Sequence, residues 1–272
     1  MWRKPVGLGA NRTRTCVMHS THQICVKAGI YSTHRKALYR IAALPSRHGF
    51  CYDKQGYHYG RIHAVSHSSL GERSHPPRSP TRAPPSCSQN NRAYSMAAPG
   101  TPSGELTLIF DRVPGGVGSN YLYTLKPGDD TQLSGPYGNF TLPKQLDREL
   151  ILIARYTGLV PIRCMLKQLY AQRQTGSVLL VSVAPAEEEL LFHQELLTLA
   201  VPHPGFRYLP LVAAGGEQQG VDLTLSMIRP LIEGTPKVIP MLCGTKGFVR
   251  PLRVYFVEAG YDRKEVKTET YD

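Results

Sequence analysis

Acidic residues are almost missing from the first third of this 272-residue chain. Residues 1–95 hold 2 Asp/Glu against 15 Lys/Arg, a net of +13, which leaves 18 against 17, a net of −1, for residues 96–272. The +12 of the whole chain is therefore a property of one segment and not of a folded basic surface. That segment also lacks a dense Lys/Arg run interleaved with aromatics, so nucleic acid is the weakest partner reading. Cysteine is sparse: Cys16, Cys25, Cys51, Cys87, Cys164 and Cys243 include no C-x-x-C and no ferredoxin spacing, so no iron–sulfur cluster and no other metal site is expected on this chain. A run of 18 apolar residues is also absent, which argues against a membrane span, and there is no charged-then-apolar leader. A soluble, cytoplasmic protein is the expectation, with an organelle as the alternative if the Arg- and Ser-rich start is a transit peptide.

What is present changes character near residue 92. Residues 1–91 show little period-2 or period-3.6 patterning and close on a Pro-rich stretch at 74–85, so they read as a basic segment of low order, irregular or disordered. The alternatives are a nucleic-acid arm, or a segment foreign to the rest of the chain through a frame error or a wrong start. From 92 to 146 short antiparallel elements are expected: a strand at 105–110, an apolar segment at 121–125, a turn at 127–129 and a further strand at 131–134. From 147 to 272 strands at 149–154, 177–183, 206–213, 237–243 and 265–271 alternate with helices opening at Pro161 and spanning 187–200, 223–232 and 247–258. Alternation of this kind implies a doubly wound parallel sheet, whose ligands sit beyond the carboxyl ends of the strands. Pro240 is awkward there, because it removes a ladder donor from a central strand.

Two glycine turns follow buried strands, at Thr157-Gly158 and at Cys243-Gly244. Each brings backbone N–H groups to a helix start, which suits a pyrophosphate, and each alone is as well explained by chain reversal. Upstream, Arg92 offers a fixed cation for phosphate, Tyr94 a flat ring and Ser95 a hydroxyl, while Gly116, Gly118 and Ser119 offer unhindered amides. Cys164 reads as core, whereas Cys243, at a strand's carboxyl end, has the better claim to a site. His193 and His203 read as capping or solvent-facing groups.

Taken in order, Arg92-Ala-Tyr-Ser95, Gly116-Val-Gly-Ser119, Leu125-Lys-Pro-Gly-Asp129, Gly135 to Phe140, Thr157 to Pro161, Cys243-Gly244 and Glu269-Thr-Tyr-Asp272 resemble the ferredoxin–NADP reductase superfamily. The likeness covers residues 92–272 and is nearest the branch with oxygenase reductases and the flavin subunit of NADH:quinone reductase. It implies an α+β protein of two domains: a partial antiparallel β-barrel for FAD at 92–146, then a doubly wound nucleotide-binding domain for NADH or NADPH at 147–272. By the same resemblance Arg92, Tyr94, Ser95, Gly116, Gly118 and Ser119 hold FAD, Thr157, Gly158, Cys243 and Gly244 hold the pyridine nucleotide, and Ser95 and Cys243 border the reaction centre. Hydride would pass from NAD(P)H to FAD and electrons onward to a partner protein or small acceptor. Two departures stand out. The strands that precede Arg-x-Tyr-Ser in that family are not recognisable in 1–91, and Arg155-Tyr156 replaces the first two residues of the usual Gly-Gly-Thr-Gly. Those side chains stand where backbone should meet phosphate, which predicts weakened nucleotide binding unless Arg155 pairs with a phosphate. The acids at 187–189 favour NAD, or neither dinucleotide, over NADP. A second reading is a truncated relative without flavin or catalysis.

Overall fold

The computed structural model describes residues 22–33, 36–45, 61–65, 91–100, 106–126, 130–172, 176–232 and 238–271. The remainder of 1–91 and the turn expected at 127–129 lie outside them.

The first sheet is antiparallel and contains β1 (His22–Thr33), β2 (Lys36–Pro45), β3 (Arg61–Val65), β4 (Asn91–Ser95), β5 (Leu106–Leu108) and β6 (Asp130–Tyr137), in the order β4-β3-β6-β1-β2-β5. Its outer strands meet: Met96 bridges Leu108, and the Ala97 N–H donates to the Thr107 carbonyl at 2.8 Å. The sheet thus closes on itself, which satisfies the edges that an open sheet would expose.

Three of its strands fall within residues 22–65, where the sequence reading finds none. An apolar alternation does exist at Ile24, Val26, Ala28 and Ile30, but His22, Lys27 and Gly29 dilute it. The partner that gives β1 its second neighbour is β6, about a hundred residues away, so no local window contains the signal.

Of Tyr121–Leu125, expected to be extended, all but Leu125 belong instead to helix α1 (Val117–Thr124). Gly115, at φ 71°, reverses the chain, and the Asn120 side-chain amide donates to the Val113 and Gly116 carbonyls at 3.0 and 2.7 Å. Gly118, Ser119 and Leu122 form the buried helical face, and the alternating Tyr121 and Tyr123 mislead a period-2 reading.

The second sheet is parallel and contains β7 (Leu150–Arg155), β8 (Val178–Ala184), β9 (Phe206–Val212), β10 (Ile239–Thr245) and β11 (Lys267–Tyr271), in the order β11-β10-β7-β8-β9. Helices α2 (Leu159–Ala171) and α3 (His193–Ala200) cover one face, and α4 (Glu217–Ile232) and α5 (Lys246–Glu258) the other. The alternation of β7 decides which side chain goes where: Leu150, Leu152 and Ala154 face α2 and α3, and Ile151 and Ile153 face α4 and α5. All five are fully buried, and each Leu or Ile so placed stabilises the fold by about 1.5–3 kcal/mol. The helix expected at 187–200 is cut to α3 because Phe192 takes a left-handed φ of 57° after a short 3₁₀ turn at Glu187–Glu189. Helix α4 begins at Glu217, six residues earlier than expected, and keeps Pro230 in its last turn.

Pro240 is tolerated for a geometric reason. The Ile239 N–H bonds toward β7, at Glu149 O, so the next residue's donor would point toward β11, whose pairing begins only at Met241. The order places the switch point between β7 and β10, where the chain has moved out to β8 and β9 before returning, and a crevice forms at their carboxyl ends.

Candidate active site

A cavity of about 550 Å³ opens beside the carboxyl end of β4 and is lined by both halves of the molecule. The volume lies within the roughly 300–1,000 Å³ of ordinary ligand pockets. Arg92, Tyr94 and Ser95 come from β4, Phe110 and Asp111 from the chain after β5, Gly116 and Gly118 from the start of α1, and Thr157, Val160 and Tyr271 from the second half. Tyr94 is half-buried and meets the Phe110 ring edge-on, with centroids 5.6 Å apart. Burial pushes its hydroxyl up to about 12, against the opposing pull of Arg92.

Gly118 explains how β4 and α1 come so close. A Cβ there would lie 2.5 Å from the Tyr94 hydroxyl and 2.7 Å from Arg92 Cγ, so only glycine lets the helix start approach these side chains. A helix N-terminus beside an arginine is a ready anion site, and no acidic residue occupies the first turn of α1. Ser119 Oγ accepts the Val113 N–H at 3.0 Å, which holds the loop that presents Gly116.

At the other end of the cavity the Ser95 and Tyr271 hydroxyls lie 2.9 Å apart. Burial raises the Tyr271 hydroxyl well above its ordinary range, and Cys243 lies beside it and pushes the same way. Tyr271, on the terminal strand, thus joins Ser95 from the first sheet to Cys243 from the second. Cys243 is fully buried in β10.

The turn at Thr157-Gly158 packs backbone on backbone. A Cβ on Gly158 would fall 2.6 Å from the Cys243 carbonyl carbon and 2.9 Å from the Gly244 nitrogen, so this glycine is required for close approach. Gly244 adopts φ 155°, a backbone that L side chains rarely take. Tyr156 has φ 50°, the left-handed conformation a glycine would adopt freely, and its hydroxyl donates to Asp111 Oδ1 at 3.2 Å across the two halves. Burial and the Asp111 carboxylate raise that hydroxyl far above its ordinary range. Arg155 turns to the opposite side and pairs with Glu217 at 3.5 Å.

Two family descriptions match the chain: an oxidoreductase FAD-binding domain over residues 81–142 and an oxidoreductase NAD-binding domain over 152–253. Ferredoxin–NADP reductase B of Sorangium cellulosum is 30% identical over 190 residues, covering 66% of this chain and 78% of the relative. The chain belongs to the ferredoxin–NADP reductase superfamily. It is an FAD-dependent NAD(P)H oxidoreductase by that membership. The toluate 1,2-dioxygenase electron transfer component of Pseudomonas putida is 30% identical over 177 residues, 64% of this chain, and the chain spans about half, 52%, of it. The ferredoxin-NADP+ reductase of Plasmodium falciparum shares the fold at TM-score 0.71 and 17% identity, with 92% of this chain and 95% of that one covered. Among the described residues no helix is long and apolar enough to cross a membrane, and no group of three or more His, Cys, Asp or Glu is placed to hold a metal ion.

Of the residues expected to serve the superfamily's two cofactors, Arg92, Tyr94, Ser95, Gly116, Gly118, Ser119 and Thr157 all line the cavity. Gly158, Cys243 and Gly244 form the turn behind it. Three residues were given no role by the sequence: Tyr271, Phe110 and Asp111. The motif Glu269-Thr-Tyr-Asp272 contains Tyr271, but its partners are 176 and 28 positions away and only the fold reveals them. His193 and His203 pack on tyrosines, Nδ1 of the first 3.1 Å from the Tyr208 hydroxyl and the second stacked on Tyr170 at 4.1 Å. Cys164 is core, and burial pushes its thiol up to about 12.

Proposed function

We propose that the cavity takes FAD, with its pyrophosphate at Arg92 and the start of α1 and its ring beside Tyr94. We propose too that NADH reaches the far end of the cavity from the turns at Thr157-Gly158 and Cys243-Gly244. The carrying observation is that one cavity is lined both by Arg92 with the start of α1 and by the Ser95–Tyr271 hydroxyl pair, with Cys243 packed behind Tyr271. FAD held there would supply acceptance of a hydride from the pyridine nucleotide and release of single electrons.

This chain's own residues bind, orient and exclude water. The guanidinium of Arg92 supplies the fixed charge for phosphate oxygens. The Tyr94 ring, fixed by Phe110, supplies a flat apolar wall. Ser95 and Tyr271 hold a hydroxyl pair at the end where the two halves join. Thr157, in the turn before α2, and Val160, in its first turn, close the side facing the nucleotide crevice.

Exposed Glu187 and Glu188 lie just beyond the carboxyl end of β8, and their charge disfavours an additional phosphate there, so NADH is proposed over NADPH. The electron acceptor is proposed to be a partner protein, in keeping with relatives that are by name electron transfer components. The second reading, a relative without flavin, loses much of its motive because β1, β2 and β3 complete the sheet around β4. The test is a visible spectrum of the purified full-length chain after FAD loading and removal of free flavin, followed by anaerobic NADH. Retained absorbance near the flavin bands that bleaches with NADH is expected; a colourless protein refutes the assignment.

A further inference from the structure

Outside the cavity, a second polar cluster lies at the carboxyl ends of β7 and β10 and joins three elements. Arg155 continues the row of Ile151 and Ile153 on the α4/α5 face of β7. Its side chain is 15% exposed, its Nη1 lies 3.5 Å from Glu217 Oε1, and its buried Nε has no hydrogen-bond partner. A guanidinium carries five donors in a planar fork, so a single long ion pair leaves it under-used.

Glu217, the first residue of α4, is held by a second element. Its carboxylate accepts the Thr245 hydroxyl and lies over Gly247, where a Cβ would come 3.2 Å from the carboxylate carbon. Thr245 and Gly247 flank the start of α5. That helix has no acid in its own first turn and no side-chain cap at its N-terminus. An anion therefore sits at the start of α5, where the helix dipole favours one, but it is supplied by a different helix. The carboxylate end is also free to leave: Glu217's side chain is 40% exposed, and α4 is preceded by Gly215 and by Gly216 at φ 90°.

We propose that Glu217 is an internal stand-in for a phosphate of the incoming dinucleotide, and that the nucleotide displaces it to pair with Arg155. This rests on the reading that NAD(P)H binds at the Thr157-Gly158 turn. Loss of the glycine that the family carries at position 155 then has a counterpart: the side chain that replaces it is a phosphate ligand, and Glu217 occupies that ligand until nucleotide arrives. Phosphate and Glu217 compete, because two anions at one guanidinium repel and each weakens the hold on the other. The exchange swaps one oxygen anion for another and makes affinity depend on how firmly Glu217 is held.

The experiment measures, by calorimetry on the FAD-loaded full-length chain, binding of NADH and of ADP, which carries two phosphates and no nicotinamide. Glu217→Gln keeps an acceptor for Thr245 but removes the charge, and it should tighten both ligands about three- to tenfold, the scale of a partly exposed ion pair. Thr245→Val, which loosens Glu217 without altering its charge, should move affinity the same way. Arg155→Gln on the Glu217→Gln background should abolish that gain for both ligands. A tighter Kd is a gain that a merely structural lesion does not produce. Unchanged or weaker binding in Glu217→Gln and Thr245→Val overturns the proposal, as does a gain that survives Arg155→Gln. Absence of NADH and ADP binding in every variant, with flavin retained, overturns the reading of the nucleotide turn itself and the proposal with it.

Discussion

Gly158 separates steric from conformational reasons for a glycine. Its backbone, at φ −57° and ψ −19°, is ordinary right-handed helix, so alanine carries no conformational penalty there. By propensity and chain entropy alone, Gly158→Ala should stabilise the protein by about 0.4–1 kcal/mol. Space opposes it. The new Cβ would collide with the Cys243 carbonyl, its carbon at 2.6 Å and its oxygen closer still, so moving it out to an ordinary 3.4 Å requires a shift of more than 0.8 Å. The obstacle is the backbone of β10, paired with β7 on one side and β11 on the other, so α2 has to move instead. Because the clash is with strand backbone and not with a side chain that can turn aside, the cost lies in the upper part of the roughly 1–3 kcal/mol of overpacking, about 2–3 kcal/mol, which outweighs a gain of up to about 1 kcal/mol and leaves a net loss of about 1–2 kcal/mol. The midpoint of thermal unfolding should fall by roughly 2–8 °C. Displacing the first turn of α2 by most of an ångström should also weaken NADH binding at least tenfold, read by calorimetry on the FAD-loaded protein. A variant with an unchanged or higher midpoint and wild-type NADH affinity would show that the backbone contact is slack and that the glycine serves neither purpose.

Arg92→Ala should lower FAD affinity by roughly ten- to a hundredfold, the worth of one or two charged hydrogen bonds, and flavin content after dialysis reads it. Tyr271→Phe keeps the ring and removes the hydroxyl shared by Ser95 and Cys243, so it should cost about 0.5–1.5 kcal/mol of stability with flavin retained, and an unfolding curve identical to wild type counts against that bond. Tyr156→Gly removes a left-handed side chain and its tie to Asp111, and NADH affinity should rise; no rise in a titration means the ring does not obstruct the turn. Burial pushes the Glu195 carboxyl up, but Arg163 and Lys167 outweigh it and hold the group below its usual value. Its contribution is thus present above the unfolded carboxyl value of about 4.3 and lost as pH falls through the lower folded value. Acid unfolding followed by circular dichroism should be less steep in Glu195→Gln than in wild type.

How much of this was legible in the sequence depends on how local each cause is. The parallel sheet could be read because each strand's apolar run and the helix after it are contiguous. Of the residues singled out, those on β4 that line the cavity are contiguous, Arg92, Tyr94 and Ser95 lying within four positions, and each glycine turn is two residues long. The first three strands could not, since β1 and β3 find a shared neighbour in β6 only after the chain has returned from residue 130. Helix α1 was missed because its start depends on Gly115 and on Asn120 reaching back to Val113, a capping pattern without Ser, Thr or Asp at the first position. The same limit hid Tyr271 and Glu217, whose partners lie on other strands.

These non-local partners account for the cavity itself. Ser95 meets Tyr271, Asp111 meets Tyr156, the Arg163 guanidinium donates to the Ala97 carbonyl at 2.6 Å, and the Lys267 ammonium donates to the Thr141 carbonyl at 2.9 Å. Each pair takes one member from the segments around the first sheet and the other from the parallel sheet or its helices. Arg163 is itself fixed by Glu195 on α3 at 2.8 Å, and its guanidinium lies over the Phe192 ring, so the position of α3 is transmitted to the end of β4. Neither half alone forms the 550 Å³ cavity, because Thr157, Val160 and Tyr271 supply the wall opposite Arg92 and Tyr94. A flavin bound there would touch both halves, and a nucleotide arriving at Gly158 would press on the same α2 that carries Val160 and Arg163. With FAD and nucleotide at the proposed sites, the two binding events would be coupled through α2, and any substitution that shifts that helix, including Gly158→Ala, should change both affinities in the same direction.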